Sequence, residues 1–420
     1  MFDQPPRQRE WVCWVQVALW AGIIFLTIPF VRGITEQINA AWGRETYTYT
    51  VIAVVVVLAV AILARLLTRA QTSTVGYAWL FAVTLAFIYL TFGLGSGSPE
   101  EAIHFLEYGP LGVLIFRALA CRIRDYSIYV AAAIVGAMVG MLDETIQWLT
   151  PKRYFDARDI GLNLLAIALV QLALAAGIRP KMIVGWPDGR GLRRLCLGAA
   201  AGVAYLGLCY LNTPDRIAWY TQRFPLLDIV PAGSGIMVEY GHLHRDPDIG
   251  VFRSRFTVEE LSRLDRRRAS EVGRIVDQYR QIEKYREFLL IHGPGTDPFL
   301  HEARVHLFSR DSNLELAREA KDADVRRMRY TRAYRENQIV EKYFGNILRS
   351  SGYPWPAASK EQVEANLQVG MAFDSRVSEN LITRHSRSTL AGYFLATVVV
   401  LLLAGWICGR WTRRRAASAA

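Results

Sequence analysis

The chain has 420 residues, 52% of them hydrophobic, and a formal net charge of +11. That length would hold two or three soluble domains, but the uneven spread of hydrophobic residues excludes a plain string of them. From Trp11 to Leu211 the chain is broken into apolar runs long enough to cross roughly 30 Å of hydrocarbon, which takes roughly 20 helical residues. Between Asn212 and Ser388 there is no such run.

In chain order the runs are Trp11 to Val31, Thr48 to Leu67, Tyr77 to Leu94, Ala102 to Ala120, Ser127 to Leu149, Ile160 to Gly177, Leu195 to Leu211 and Leu390 to Gly409. The first is long, lacks a small-residue cleavage site and is followed by further spans, so it is expected to be retained rather than removed as a secretory signal. The expected fold class is mainly α: a polytopic α-helical membrane protein of about eight transmembrane helices with a mostly helical extracytoplasmic domain. Residues 1–211 form the bundle of about seven helices, 212–388 the outer domain, and 389–420 the last helix with a basic tail.

Basic residues near span ends are preferentially kept in the cytoplasm. One alternating set of segments holds Arg7 and Arg9, Arg65 and Arg69, Arg117, Arg122 and Arg124, then Arg179, Lys181, Arg190, Arg193 and Arg194, and finally Arg410 and Arg413 to Arg415. The opposite set holds only Arg32, Arg44, Lys152, Arg153 and Arg158. Both termini are therefore expected to be cytoplasmic and residues 212–388 extracytoplasmic. The positive charge then faces anionic lipid in the inner loops, and no nucleic-acid partner is expected.

Cys13, Cys121, Cys196, Cys209 and Cys408 lie in or beside spans, so the outer domain has no disulfide framework. Neither a CxxC pair nor a Cys/His cluster points to zinc. No GxSxG, HExxH or Gly-rich phosphate loop occurs, and no metal or cofactor is expected.

After Pro214 the outer domain opens with a mixed segment containing Pro225, Pro231 and Gly233-Ser234-Gly235, ahead of a short strand at Ile236 to Tyr240. Thr257 with Glu260 forms a capping box, starting a helix expected to run to about Leu290 and to end at His292-Gly293-Pro294-Gly295. Further helices are expected from Pro298 to Phe308, from Leu314 through Tyr334 towards Leu348, and from Lys360 to Met371. Two histidine pairs are set aside as metal sites. His242 and His244 are expected on opposite faces of a strand, and His301 and His306 are five apart on a helix rather than the four of a zinc-protease motif.

Polar side chains gather in the fourth, fifth and sixth runs. Ser98, Pro99 and Glu101 mark a helix start on the outer side, and His104 and Tyr108 follow, four apart on one face. The fifth run ends with Asp143-Glu144-Thr145-Ile146-Gln147, where Asp143 and Gln147 share a face. A tight loop holding Lys152, Arg153 and Asp156 returns to the sixth, which opens with Asp159 and Asn163. Ionisable groups at that depth are costly unless they pair or line a polar cavity, so all of these are functional candidates.

The combination H-F-x-x-Y at His104 to Tyr108, D-E-x-x-Q at Asp143 to Gln147, and Arg153, Asp156, Asp159 and Asn163 in R-x-x-D-x-x-D-x-x-x-N resembles the VanZ-like family. The resemblance covers roughly residues 82–177, and where the family often has Gly after the Asn this chain has Leu164-Leu165-Ala166. It implies a bacterial inner-membrane protein linked to cell-envelope processes, the name-giving members being associated with tolerance of glycopeptide antibiotics. It implies no particular reaction.

Three readings of these residues follow. In the first, His104, Tyr108, Asp143, Glu144, Gln147, Arg153, Asp156, Asp159 and Asn163 bind a membrane lipid or lipid-linked envelope precursor, with Lys152, Arg153 and Arg158 attracting a phosphate headgroup. In the second, a membrane-embedded hydrolase or transferase acts on a lipid phosphate with His104 as base and Asp143 or Glu144 as its partner. In the third, Asp156 and Asp159 are helix caps, Lys152 and Arg153 pair with Asp143 and Glu144, and the network only locks three helices together; the remaining alternative is a non-catalytic scaffold presenting residues 212–388 to an envelope protein partner.

Overall fold

The computed structural model describes residues 9–42, 44–69, 72–95, 99–150, 155–224, 237–293, 297–368, 370–378, 382–383 and 385–418. They fall into two compact units, one built on Met1–Thr150, Phe155–Cys209 and Ala391–Ala420, the other on Tyr210–Leu390.

The first unit contains α1 (Glu10–Trp42), α2 (Arg44–Arg69), α3 (Thr74–Gly95), α4 (Pro99–Leu119), α5 (Ser127–Leu149), α6 (Ala157–Leu172) and α7 (Gly189–Tyr210), with the C-terminal helix Arg387–Ser418. Among the described residues, seven helices are long and apolar enough to cross a bilayer: Glu10–Phe30, Thr74–Gly93, Ala102–Leu119, Ser127–Leu149, Ala157–Ile178, Gly189–Tyr210 and Arg387–Trp411. The remaining expected run lies in α2, a helix of 26 residues whose apolar stretch, Thr48–Ala64, stops at Arg65. Leu19, Ile23, Leu26 and Phe30 of α1 and Leu395, Val400, Trp406 and Ile407 of the last helix are exposed. Surfaces of that kind are unfavourable in water and natural against acyl chains, so this is a multi-pass membrane protein.

Helix α6 packs against both α4 and α5. Its buried stripe is Asn163, Ile167 and Gln171, spaced one turn apart. A Cβ added to Gly136 of α5 would overlap Ile167 Cδ1, and one added to Gly140 would stand 3.1 Å from Asn163 Cβ. The glycines four apart thus let α6 close on α5 as small residues do where lipid offers no hydrophobic drive. Towards α4 the stripe is fixed by a 3.0 Å hydrogen bond from Gln171 Nε2 to the carbonyl of Gly112. A π-helical turn, Ala173–Ile178, follows α6, and the Thr72 hydroxyl donates to the carbonyl of Gly177 at 2.7 Å.

The second unit contains α8 (Pro214–Arg223), β1 (Glu239–Tyr240), β2 (His242–Asp246), β3 (Gly250–Ser254), α9 (Val258–Gln278), α10 (Tyr285–Ile291), α11 (Pro298–Glu319), α12 (Ala323–Tyr343), α13 (Gly345–Arg349), α14 (Ala357–Glu364) and β4 (Ile382–Thr383), leading to α15 (Arg387–Ser418). β2 and β3 form an antiparallel hairpin with His242 opposite Ser254, and β1 pairs in parallel with β4. The main core joins Phe252 of the hairpin to Leu261, Val272 and Val276 of α9, Phe299 and Leu307 of α11, and Ile339, Val340 and Phe344 around the end of α12. The capping box at Thr257 is present, with its hydroxyl accepting from the Glu260 N–H and the Glu260 carboxylate accepting from the Thr257 N–H.

Four expected helices have other limits. The helix from Thr257 does not run to Leu290: α9 ends at Gln278, and a 3-10 turn at Ile282–Lys284 precedes α10. At the break, Arg304 Nε and Nη2 donate to the carbonyl of Tyr279 at 3.1 and 2.7 Å, and the Tyr353 hydroxyl donates to the carbonyl of Arg280 at 2.6 Å. These distant donors satisfy the carbonyls that a continuous helix would have used. The polar stretch after Phe308 does not break α11, which continues to Glu319, with Asn313 Nδ2 donating back one turn to the carbonyl of Ser309. The break comes at Ala320, after which the Asp322 carboxylate caps α12 through the N–H groups of Asp324 and Val325. The last expected helix is α14, which starts after Pro356 and stops before Gln368, whose N–H donates to the Thr331 hydroxyl.

Candidate functional site

The candidate side chains lie at one end of three helices. His104 and Tyr108 occupy the first turns of α4, Asp143, Glu144 and Gln147 the last turns of α5, Asp156 the N-cap of α6, and Asp159 and Asn163 its first turns. Arg153 and Lys152 lie outside the described residues, as does the capping box expected at Ser98.

Asp143 and Glu144 are both buried. The Tyr108 hydroxyl, itself fully buried, donates to Asp143 Oδ2 at 2.8 Å and ties α4 to α5. Glu144 Oε1 accepts from Gln147 Nε2 at 2.7 Å, and its Oε2 accepts from the backbone N–H of Asp156 at 2.8 Å. Asp156 in turn accepts from the Arg158 N–H at 2.8 Å, so Glu144 holds the residue that caps α6. Burial pushes the Asp156 carboxyl above the usual carboxylate range, against the pull of that N–H.

His104 differs from the expectation. Its carboxylate neighbour is Asp159, with Nε2 3.6 Å from Oδ2, rather than Asp143 or Glu144. The separation is that of an ion pair and exceeds a hydrogen bond. On its other side, His104 Nδ1 is buried with no hydrogen-bond partner among the described residues. Asn163 is fully buried, and neither its amide oxygen nor its amide nitrogen has a partner there. The Asp143 and Glu144 carboxylates therefore hold the helices together, while His104 Nδ1 and the Asn163 carboxamide are unpaired among the described residues.

Gly136 and Gly140, which permit the approach of α6, were not among the expected site residues. Their signal was legible as G-x-x-x-G in Gly136 to Gly140 of an apolar segment.

In the second unit, the His242 and His244 rings lie 6.1 Å apart. The expectation of opposite faces is corrected, since residues two apart on a strand share a face. His306, fully buried, bonds through Nδ1 to Glu336 at 2.7 Å, and the other Glu336 oxygen accepts from the Ser375 hydroxyl at 2.6 Å. His301 is pushed down to about 3 by burial and by the nearby Arg255 guanidinium, and so stays neutral. Among the described residues, no three metal-ligating side chains converge. Comparison of the chain with family models, curated proteins and solved structures gives no match.

Proposed function

We propose that the end of the bundle carrying His104, Tyr108, Asp143, Glu144, Gln147, Asp159 and Asn163 binds the headgroup of a membrane lipid or lipid-linked envelope precursor, a reading in keeping with the cell-envelope link that the resemblance to VanZ-like proteins implies. One observation carries this reading: Asn163 and His104 Nδ1 are buried without hydrogen-bond partners among the described residues, beside carboxylates that are engaged. A buried carboxamide without partners costs several kcal/mol in an apolar setting, and a ligand's hydroxyl or phosphate oxygen would offset that cost. The asymmetry of basic residues between alternate loops supports a cytoplasmic-membrane location with both termini inside, this end of the bundle facing out, and residues 212–388 extracytoplasmic.

The test is binding of a radiolabelled polyprenyl phosphate to the purified protein in detergent. His104→Ala and Asn163→Leu should each weaken binding roughly tenfold while the protein still reaches the membrane in normal amount. Unchanged affinity in both variants would remove the basis of the proposal. A second reading rests on the His104–Asp159 pair, in which a carboxylate orients an imidazole as in general-base catalysis. Conversion of the label, abolished by His104→Ala and by Asp159→Asn, would favour it over binding alone.

A further inference from the structure

At the other end of the same helices, the link between α6 and α7 is folded into a fixed projection. After the π-helical turn, Arg179 takes a left-handed conformation (φ 52°), and Gly185 another (φ 82°). Two backbone bonds pin the link to the loop between α4 and α5, from Val184 N–H to the carbonyl of Arg124 at 2.7 Å and from Tyr126 N–H to the carbonyl of Gly185 at 3.1 Å. Ile183 is the inward anchor, buried with Phe116, Ala120, Ile128 and Leu174. Its neighbours point the other way. Val184 is 70% exposed and Trp186 85% exposed, and Trp186 meets the half-exposed Tyr126 edge-on with ring centroids 5.5 Å apart.

A rigid segment holding a valine and a tryptophan outward leaves a substantial apolar area to be covered. Its position indicates the cover. The projection lies where α4 ends, α5 begins, α6 ends and α7 begins, all of them apolar spans, so it is continuous with the lipid-facing belt of the bundle. Tryptophan and tyrosine favour that depth because the ring is apolar and one edge is polar. Across the two loops, residues 120–126 and 179–194, seven basic side chains stand against two acidic ones. Of the acids, Asp188 sits 3.5 Å from Arg190 and Asp125 accepts from the Ser127 N–H at 2.8 Å, while Glu10 of α1 pairs with Arg122 at 2.7 Å and leaves the basic excess in place.

We propose that Val184, Trp186 and Tyr126 form a wedge inserted at headgroup level in the leaflet on this side, with Lys181 and Arg190 selecting anionic phospholipid there. The occupant is lipid and not protein: the aromatic group adjoins the acyl belt, and the charge excess matches anionic headgroups. This site is distinct from the His104 end and does not depend on what binds there.

The test uses the full chain labelled with 5-fluorotryptophan in vesicles of phosphatidylcholine with and without phosphatidylglycerol. The resonance missing in Trp186→Phe identifies this side chain among the 11 tryptophans. It should be broadened by a nitroxide on the lipid headgroup and spared by an aqueous paramagnetic chelate. Lys181→Gln and Arg190→Gln should each lower the preference for phosphatidylglycerol over phosphatidylcholine about fivefold. Broadening by the chelate alone would place Trp186 in water and overturn the proposal, as would protection from both agents, which would mean a protein cover. An unchanged lipid preference in both charge variants would overturn the anionic selection.

Discussion

The hydroxyl of Tyr108 and the carboxylate of Asp143, on different helices, meet at 2.8 Å with both side chains buried. The bond joins α4 to α5 where neither residue has access to water. Tyr108→Phe should therefore destabilise the bundle by about 1–2 kcal/mol, the scale of an interhelical hydrogen bond in a membrane protein. Unfolding of the purified protein in mixed SDS micelles measures it. A double-mutant cycle with Asp143→Ala, which removes the acceptor, isolates the pair, and strict additivity would mean that this contact contributes nothing.

The approach of α6 to α5 depends on the missing side chains of Gly136 and Gly140. Gly136→Ala brings a methyl group into Ile167 Cδ1 and should cost about 1–3 kcal/mol. Ile167→Val removes that Cδ1 atom, so the double variant should recover most of the loss in the same assay. Failure to recover would place the cost elsewhere than this contact.

His301 stays neutral in the fold, held down to about 3 by burial and Arg255, whereas in the unfolded chain it titrates near the ordinary histidine value of about 6.5. The unfolded state thus binds the extra proton first. Stability contributed by this group is complete above about pH 6.5 and falls as the pH drops from there towards about 3. Hydrogen–deuterium exchange of the α11 amides, corrected for intrinsic rates, should speed up across that window in the native chain. His301→Leu should flatten the response.

Asp265 of α9 accepts from the N–H groups of Asn346 and Ile347 at 2.9 and 3.0 Å and from Asn346 Nδ2 at 2.8 Å, fixing the start of α13. Asp265→Ala strands two backbone donors in the core and should cost about 3 kcal/mol. Exchange protection at α13 should collapse first. Asp265→Asn keeps one acceptor oxygen and should lose less.

Membrane character was legible in the sequence because lipid imposes a simple demand, unbroken apolar helices of a fixed length, that runs such as Ser127 to Leu149 display locally. The capping box at Thr257 was legible for the same reason: both partners lie within one turn. The candidate site was visible as polar residues at helical spacing near three span ends. Which groups pair was not. Tyr108 reaches Asp143 across 35 positions, and His104 meets Asp159 because α6 packs tightly on both neighbours.

Sequence alone therefore determined the kind and the places of the apolar helices and the residues that bring polarity to their ends, since hydropathy and caps act over a few neighbouring residues. Tertiary structure decided where α9 stops, because the capturing donors Arg304 and Tyr353 are distant in the chain. It also decided that the acids at the helix ends are engaged while His104 Nδ1 and Asn163 have no hydrogen-bond partner among the described residues. Partner choice depends on which helices come close enough to touch, and that distance is set by the glycines of α5 rather than by the polar residues themselves.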